Sequence, residues 1–115
     1  MIKVGTDIVA IDRVEKALIK FGNRYKNKFL TQKEQELSKK VESIAGYWAS
    51  KEAISKALGC GIGKELSFLD IEIYKDSKNA PYFNLSSNSK FKIKQSSLSI
   101  SHDGGFAIAV VIIEL

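Results

Sequence analysis

Ser43-Ile-Ala-Gly-Tyr47-Trp48-Ala-Ser-Lys51-Glu52-Ala-Ile54-Ser-Lys56-Ala-Leu58-Gly59 is the stretch whose reading decides the fold. Ile44, Tyr47 or Trp48, Ile54 and Leu58 recur at helical spacing, and alanines at 45, 49, 53 and 57 allow neighbours to approach closely. Gly59 supplies the stop. A helix this apolar belongs at the centre of a fold, so its flanks must cover it. Upstream, Ile2 to Ile11 reads as a strand containing Gly5 and Asp7. Asp12 is then the expected N-cap of a helix through Phe21, with Val14, Leu18 and Phe21 in phase and Gly22-Asn23 ending it. After a short basic stretch, Thr31-Gln-Lys-Glu34 has the capping-box pattern and opens a helix to about Lys40. Downstream the period changes to strands: Phe68 to Tyr74, Tyr82 to Leu85, Leu98 to Ser101 and Phe106 to Ile113, with a lysine-rich stretch before the last two. Asp103-Gly104-Gly105 marks a hairpin, and the wholly apolar last segment reads as a buried strand. The expected class is α+β: one domain over residues 1–115, its helices packed on a mostly antiparallel sheet.

With 44% hydrophobic and 27% charged residues among 115, the chain can bury a core and is not of disordered composition. Its one cysteine, Cys60, excludes an internal disulfide and fits a reducing, cytoplasmic setting. Met1-Ile-Lys-Val-Gly5 lacks the pattern of a signal peptide, and Phe106 to Ile113 is far too short to span a bilayer. The net charge of +5 is unevenly spread. From Arg13 to Lys40 run nine basic residues against Glu15, Glu34 and Glu36. Such a face suits an anionic partner, whether nucleic acid, phosphorylated ligand or acidic protein, or is a solvated helix surface. The nucleic-acid alternative lacks an aromatic-rich RNP strand and a GXXG loop between helices.

Few residues stand out as chemistry. Asp7 interrupts an apolar strand, either as a strand-end carboxylate facing water or as an oxygen ligand for a hard cation. Glu52 and Lys56, four apart on a helix, share one face, as a surface ion pair or as two groups in a cleft. The apolar, alanine-rich surroundings favour the cleft. Gly59, Gly61 and Gly63 follow a helix instead of preceding one, which rules out the dinucleotide cradle. They form a C-cap and turn, or backbone lying against a ligand. His102 ends a strand beside the hairpin, and Cys60, with no histidine near it in sequence, reads as packing.

In order and spacing these segments resemble the phosphopantetheinyl transferases, in their holo-(acyl carrier protein) synthase branch. Val4-Gly5-Thr6-Asp7-Ile8-Val9 is similar to that family's glycine-x-aspartate strand, and Phe29-Leu30-Thr31-Gln-Lys-Glu34 to its "F-T-x-x-E" segment. Trp48-Ala-Ser-Lys51-Glu52-Ala-Ile-Ser-Lys56-Ala-Leu-Gly59 follows the signature "W/F-x-x-K-E-A-x-x-K-A-x-G", and Ser99-Ile-Ser-His102 the closing "S-I-S/T-H". The resemblance implies transfer of phosphopantetheine from coenzyme A to a carrier-protein serine, in support of fatty acid biosynthesis. It implies magnesium held by Asp7 and Glu52 and bridged to the coenzyme pyrophosphate. It sets Lys56 near the phosphates, Gly59, Gly61 and Gly63 along the coenzyme pocket, and His102 in contact with the coenzyme. The general base is either Lys56 or a water that Glu52 helps to deprotonate beside the metal. Acidic carrier protein would dock on Arg13, Lys20 and Arg24, and the active unit would be a homotrimer with sites between subunits. Intact Asp7, Glu52 and Lys56 argue against an inactive relative. Two departures stand out: Tyr47 replaces an arginine common before the signature aromatic, with Lys39 or Lys40 as substitutes, and Asn79-Ala80-Pro81 replaces a Gly-x-Pro turn.

Overall fold

The computed structural model describes Met1–Leu115. Strand β1 (Ile2–Ala10) passes directly into helix α1 (Ile11–Phe21). The N-cap is Ala10, with no side-chain cap bond, so Asp12 lies in the first turn instead of capping it. There it bonds Lys16 at 2.9 Å and still favours the helix N-terminus by its charge. Gly22 ends the helix at φ 56°, as expected, but the basic stretch after it forms a second helix, α2 (Asn23–Phe29). Helix α3 (Gln32–Leu37) opens with both bonds of the Thr31–Glu34 capping box and stops short of Lys40.

Helix α4 (Val41–Ala57) is central, and its buried residues surround it instead of forming a single stripe. A 3-10 turn, Phe68–Asp70, leads into β2 (Ile71–Lys75), so the predicted strand loses its first three residues to that turn. Strand β2 pairs antiparallel with β3 (Pro81–Leu85). Strand β4 (Gln95–Asp103) takes in the end of the lysine-rich stretch and turns into β5 (Phe106–Glu114). The two turn residues, Gly104 and Gly105, have φ 58° and 85°, the conformation a tight hairpin needs and glycine supplies.

The main sheet has the order β1-β5-β4, all antiparallel, with β2-β3 as a separate ribbon. An α+β class is therefore correct. The last strand is not buried throughout. Ala107, Ala109, Val111 and Ile113 face α4 and are fully buried, while Phe106, Ile108, Val110 and Ile112 are 38–47% exposed on the other face. Ile2, Val4 and Ile8 extend that outer apolar face across β1.

Gly5 fixes how closely helix and sheet approach. A Cβ there would lie 1.9 Å from the carbonyl oxygen of Ala53. The strand backbone thus touches the backbone of α4, and the alanines at 53 and 57 make this possible. Nearer the start of the helix, Gly46 lies against the side chain of Ile100 on β4.

Candidate functional site

The Gly5–Ala53 contact sets the site. Residues two apart on a strand share a face, so Asp7 points to the same side as Gly5 and Val9, toward α4. One turn beyond Ala53, Lys56 reaches back across the contact. Its ammonium donates to Asp7 Oδ1 at 3.0 Å and to the Thr6 carbonyl at 3.1 Å. The Asp7 side chain is 16% exposed and that of Lys56 is 54% exposed, so the aspartate is the enclosed member and the lysine reaches the surface. Glu52, one turn earlier on the same helix face, is half-buried. Burial raises its carboxyl above the ordinary range; the nearby Asp7 charge raises it further, and Lys56 opposes both. Two carboxylates therefore act on each other through their charges, with the Lys56 ammonium bonded to one of them.

The residues suit a magnesium ion. No three His, Cys, Asp or Glu side chains converge here, so the protein forms no complete cage. Two carboxylates whose charges act on each other are what magnesium uses when substrate phosphate and water complete its shell.

The other predicted residues are placed elsewhere. His102 lines a cleft of about 380 Å³ with Lys40, Tyr47, Lys75, Asn79 and Pro81 among its walls. His102 pairs with Ala107 on β5, which pairs with Val9 on β1, so the histidine sits two strands away from the aspartate strand. At about 4.8 Å per strand, that is roughly 10 Å. Gly59 and Gly61 have φ 82° and 67° and close the end of α4, with the Gly61 amide donating to the Ser55 carbonyl at 3.2 Å. No atom lies within 4 Å of a Cβ built at Gly59, Gly61 or Gly63, which leaves this backbone open to a ligand. Cys60 is half-buried and burial raises its thiol, consistent with packing. Of the two lysines considered as substitutes for the missing arginine, Lys40 lies in the cleft beside Tyr47, whereas Lys39 lines a separate groove with Lys26 and Gln35.

Sequence reading missed three features. Lys51, adjacent to Glu52, is fully buried, and its ammonium donates to Glu34 Oε1 at 2.7 Å and to the carbonyls of Phe29 and Phe68 at 2.6 and 3.0 Å. Glu34, legible in the sequence as the capping-box residue and the end of the Phe29–Glu34 segment but not as a buried ion-pair partner, also accepts from the Ile73 amide at 2.7 Å. One ion pair thus ties α3, the 3-10 turn and β2 to α4 and sets the rotation of the helix that presents Glu52. Burial lowers the Lys51 ammonium from its ordinary range, and Glu34 counters that shift. The second feature is Trp48, whose ring packs on Phe29 and Phe68 with centroids at 5.0 and 4.7 Å, so the signature aromatic is a fastening of the same junction. The third is Lys75, which faces inward on β2 into the His102 cleft. A lysine in phase with Ile71 and Ile73 was the available signal.

A strand aspartate and a helix glutamate and lysine are brought together by a glycine contact, and the family follows from comparison. Residues 3–111 match the model of the 4′-phosphopantetheinyl transferase superfamily, and the chain belongs to that family. More particularly, it is 61% identical over 113 residues to a holo-(acyl-carrier-protein) synthase of Campylobacter fetus, covering 96% of this chain and 98% of that one. It is 56% identical over 114 residues to the synthase of the same name from Sulfurovum, covering 97% and 96%. The crystal structure of the Helicobacter pylori synthase in complex with coenzyme A superposes with a TM-score of 0.93 at 53% identity, over 96% of this chain and 99% of that one.

Proposed function

We propose that this chain transfers the 4′-phosphopantetheine group of coenzyme A to a serine hydroxyl of apo acyl carrier protein, releasing adenosine 3′,5′-bisphosphate. The observation that carries the reading is the convergence of Asp7, Glu52 and Lys56 at the Gly5–Ala53 contact. In the reaction the serine oxygen bonds to the phosphorus that bears pantetheine, the bond from that phosphorus to the bridging oxygen breaks, and the serine proton goes to a base. Asp7 and Glu52 hold the magnesium ion. When bound, magnesium neutralises charge on the pyrophosphate and on the departing bisphosphate. Lys56, which already donates to two oxygens at this point, is suited to contact phosphate oxygens. Glu52, on the same helix face, is the proposed acceptor of the serine proton through a water.

Docking of the carrier protein is assigned to Arg13, Lys20 and Arg24. All three are exposed and none is in an ion pair, whereas Lys16 is engaged by Asp12. Ile19, 80% exposed between them, offers an apolar contact for a helix of an acidic partner. Gly59, Gly61, Gly63 and His102 line the coenzyme. Because His102 lies two strands across and two residues along the sheet from Asp7, roughly 12 Å away, a long ligand or a neighbouring subunit is needed to join them. A homotrimer with sites between chains meets that need. It is supported by the outer sheet face, where Ile2, Val4, Ile8, Phe106, Ile108, Val110 and Ile112 leave a large apolar surface uncovered in one chain. No helix is long and apolar enough to cross a membrane. The enzyme is assigned to the cytoplasm, acting as one domain over residues 1–115.

The test is mass spectrometry of apo acyl carrier protein incubated with coenzyme A, magnesium and this protein. A gain of one phosphopantetheine on the serine is expected, and its loss when Asp7→Asn or Glu52→Gln replaces the wild type. An unmodified carrier protein under saturating coenzyme and magnesium refutes the assignment.

A further inference from the structure

The Lys56–Asp7 pair does more than bring a cation to the phosphates. Asp7 is enclosed and held by its strand, whereas Lys56 is half-exposed at the end of a flexible side chain, so the lysine is the member able to leave. Its ammonium lies 3.0 Å from Oδ1 of the carboxylate that would hold a divalent ion together with Glu52. A doubly charged ion arriving there meets a carboxylate already neutralised and a positive charge beside it, and the two cations repel. Pyrophosphate alters this balance, because it offers the ammonium new oxygen acceptors and adds negative charge next to the ion.

Resting on the reading that Asp7 and Glu52 hold a divalent cation beside the coenzyme pyrophosphate, we propose that Lys56 is an internal counter-ion that occupies Asp7 until coenzyme A draws it away, so that cation and coenzyme bind cooperatively. Lys56 thereby couples the two ligands. By linkage, whatever tightens the cation when coenzyme is present tightens the coenzyme equally when the cation is present. Thr6 adds a second anchor: its carbonyl holds the ammonium at 3.1 Å, so displacement must overcome two bonds at once.

The experiment follows free manganese(II) by electron paramagnetic resonance during titration with wild type, Lys56→Met and Lys56→Arg. Each titration is run with and without coenzyme A, and no carrier protein is present, so no turnover occurs. Wild type alone is expected to bind the ion weakly and to gain about tenfold or more with coenzyme, within the usual range of coupling. Lys56→Met, which replaces a half-exposed side chain and keeps the fold, should bind manganese about tenfold tighter than wild type without coenzyme, and coenzyme should then tighten it less. Lys56→Arg keeps the charge and should behave as wild type. If Lys56→Met binds the ion no tighter than wild type in the absence of coenzyme, the counter-ion role is wrong while the cation site stands. If neither protein binds manganese with or without coenzyme, although coenzyme itself binds, the cation site is wrong and this inference falls with it.

Discussion

Substituting Gly5 by alanine tests the geometry on which the whole site depends. The added methyl would lie 1.9 Å from the Ala53 carbonyl oxygen and 2.9 Å from the Ala57 amide nitrogen. Ordinary contact begins near 3.4 Å, so strand and helix must part by about 1.5 Å. Both partners are backbone, which rules out relief by a side-chain rotation. Overpacking of this kind costs typically 1–3 kcal/mol, and a rigid backbone clash belongs at or above about 3 kcal/mol. A domain with the usual stability of about 5–15 kcal/mol stays folded at that cost, though with a lower urea midpoint. The functional loss should be larger in proportion. Asp7 lies on β1 two residues from the clash, while Glu52 and Lys56 lie on α4 either side of it, so the same displacement opens the Lys56–Asp7 bond of 3.0 Å and parts the carboxylates. Misplacement by about 1 Å costs on the order of a hundredfold in rate. Urea unfolding gives the stability, and mass spectrometry of carrier-protein modification gives the rate. Gly46→Ala is the internal comparison, because its methyl meets only the Ile100 Cγ2 at 2.9 Å. That side chain can shift, and a cost near 1 kcal/mol is expected, relieved by Ile100→Ala. A Gly5→Ala protein with wild-type stability and full transfer rate would refute the contact as the element that sets the site.

Three further outcomes are expected. Lys51→Met should destabilise the protein by about 3–5 kcal/mol by leaving Glu34 as an unpaired buried charge, and Lys51→Met with Glu34→Gln should recover much of that loss in urea unfolding. Glu52→Gln should raise stability near neutral pH in a chelating buffer. The Glu52 carboxyl is held above its ordinary value of 4.5, so the stability it contributes is complete below about that pH and is lost as pH rises through the folded-state value. The gain from Gln should therefore stay under about 1 kcal/mol for so exposed a group and vanish toward pH 4; an equal gain at both pH values would show that ionisation is not its origin. Reversing charge at Arg13, Lys20 or Arg24 should raise the KM for carrier protein and flatten its salt dependence without changing coenzyme binding, and a fall in coenzyme affinity would move those residues to the nucleotide pocket.

Most of the architecture was legible locally, because helix and strand periods are short-range. The Gly104-Gly105 hairpin, the Thr31–Glu34 capping box and the Gly59 terminator each depend on residues a few positions apart, and each is present. The same locality explains the errors. Asn23–Phe29 has no side-chain cap, and α2 forms because Tyr25 and Phe29 pack on Trp48 from another helix. The all-apolar last strand looked buried because sequence cannot say whether a second layer covers both faces. In this chain α4 covers one.

The sequence by itself determined the class and the central helix, and through four motifs in register it singled out Asp7, Glu52 and Lys56 as candidates. Helical spacing placed the last two on one face. Tertiary structure alone decided that Asp7 meets them, 49 residues from Lys56, because the meeting depends on β1 lying against α4 at a glycine. It also decided that Lys51 and Glu34, 17 apart and both charged, lie at zero exposure. No local pattern marks a charge for burial; that depends on whether distant backbone carbonyls and a carboxylate arrive together to satisfy it, and here Phe29, Phe68 and Glu34 do.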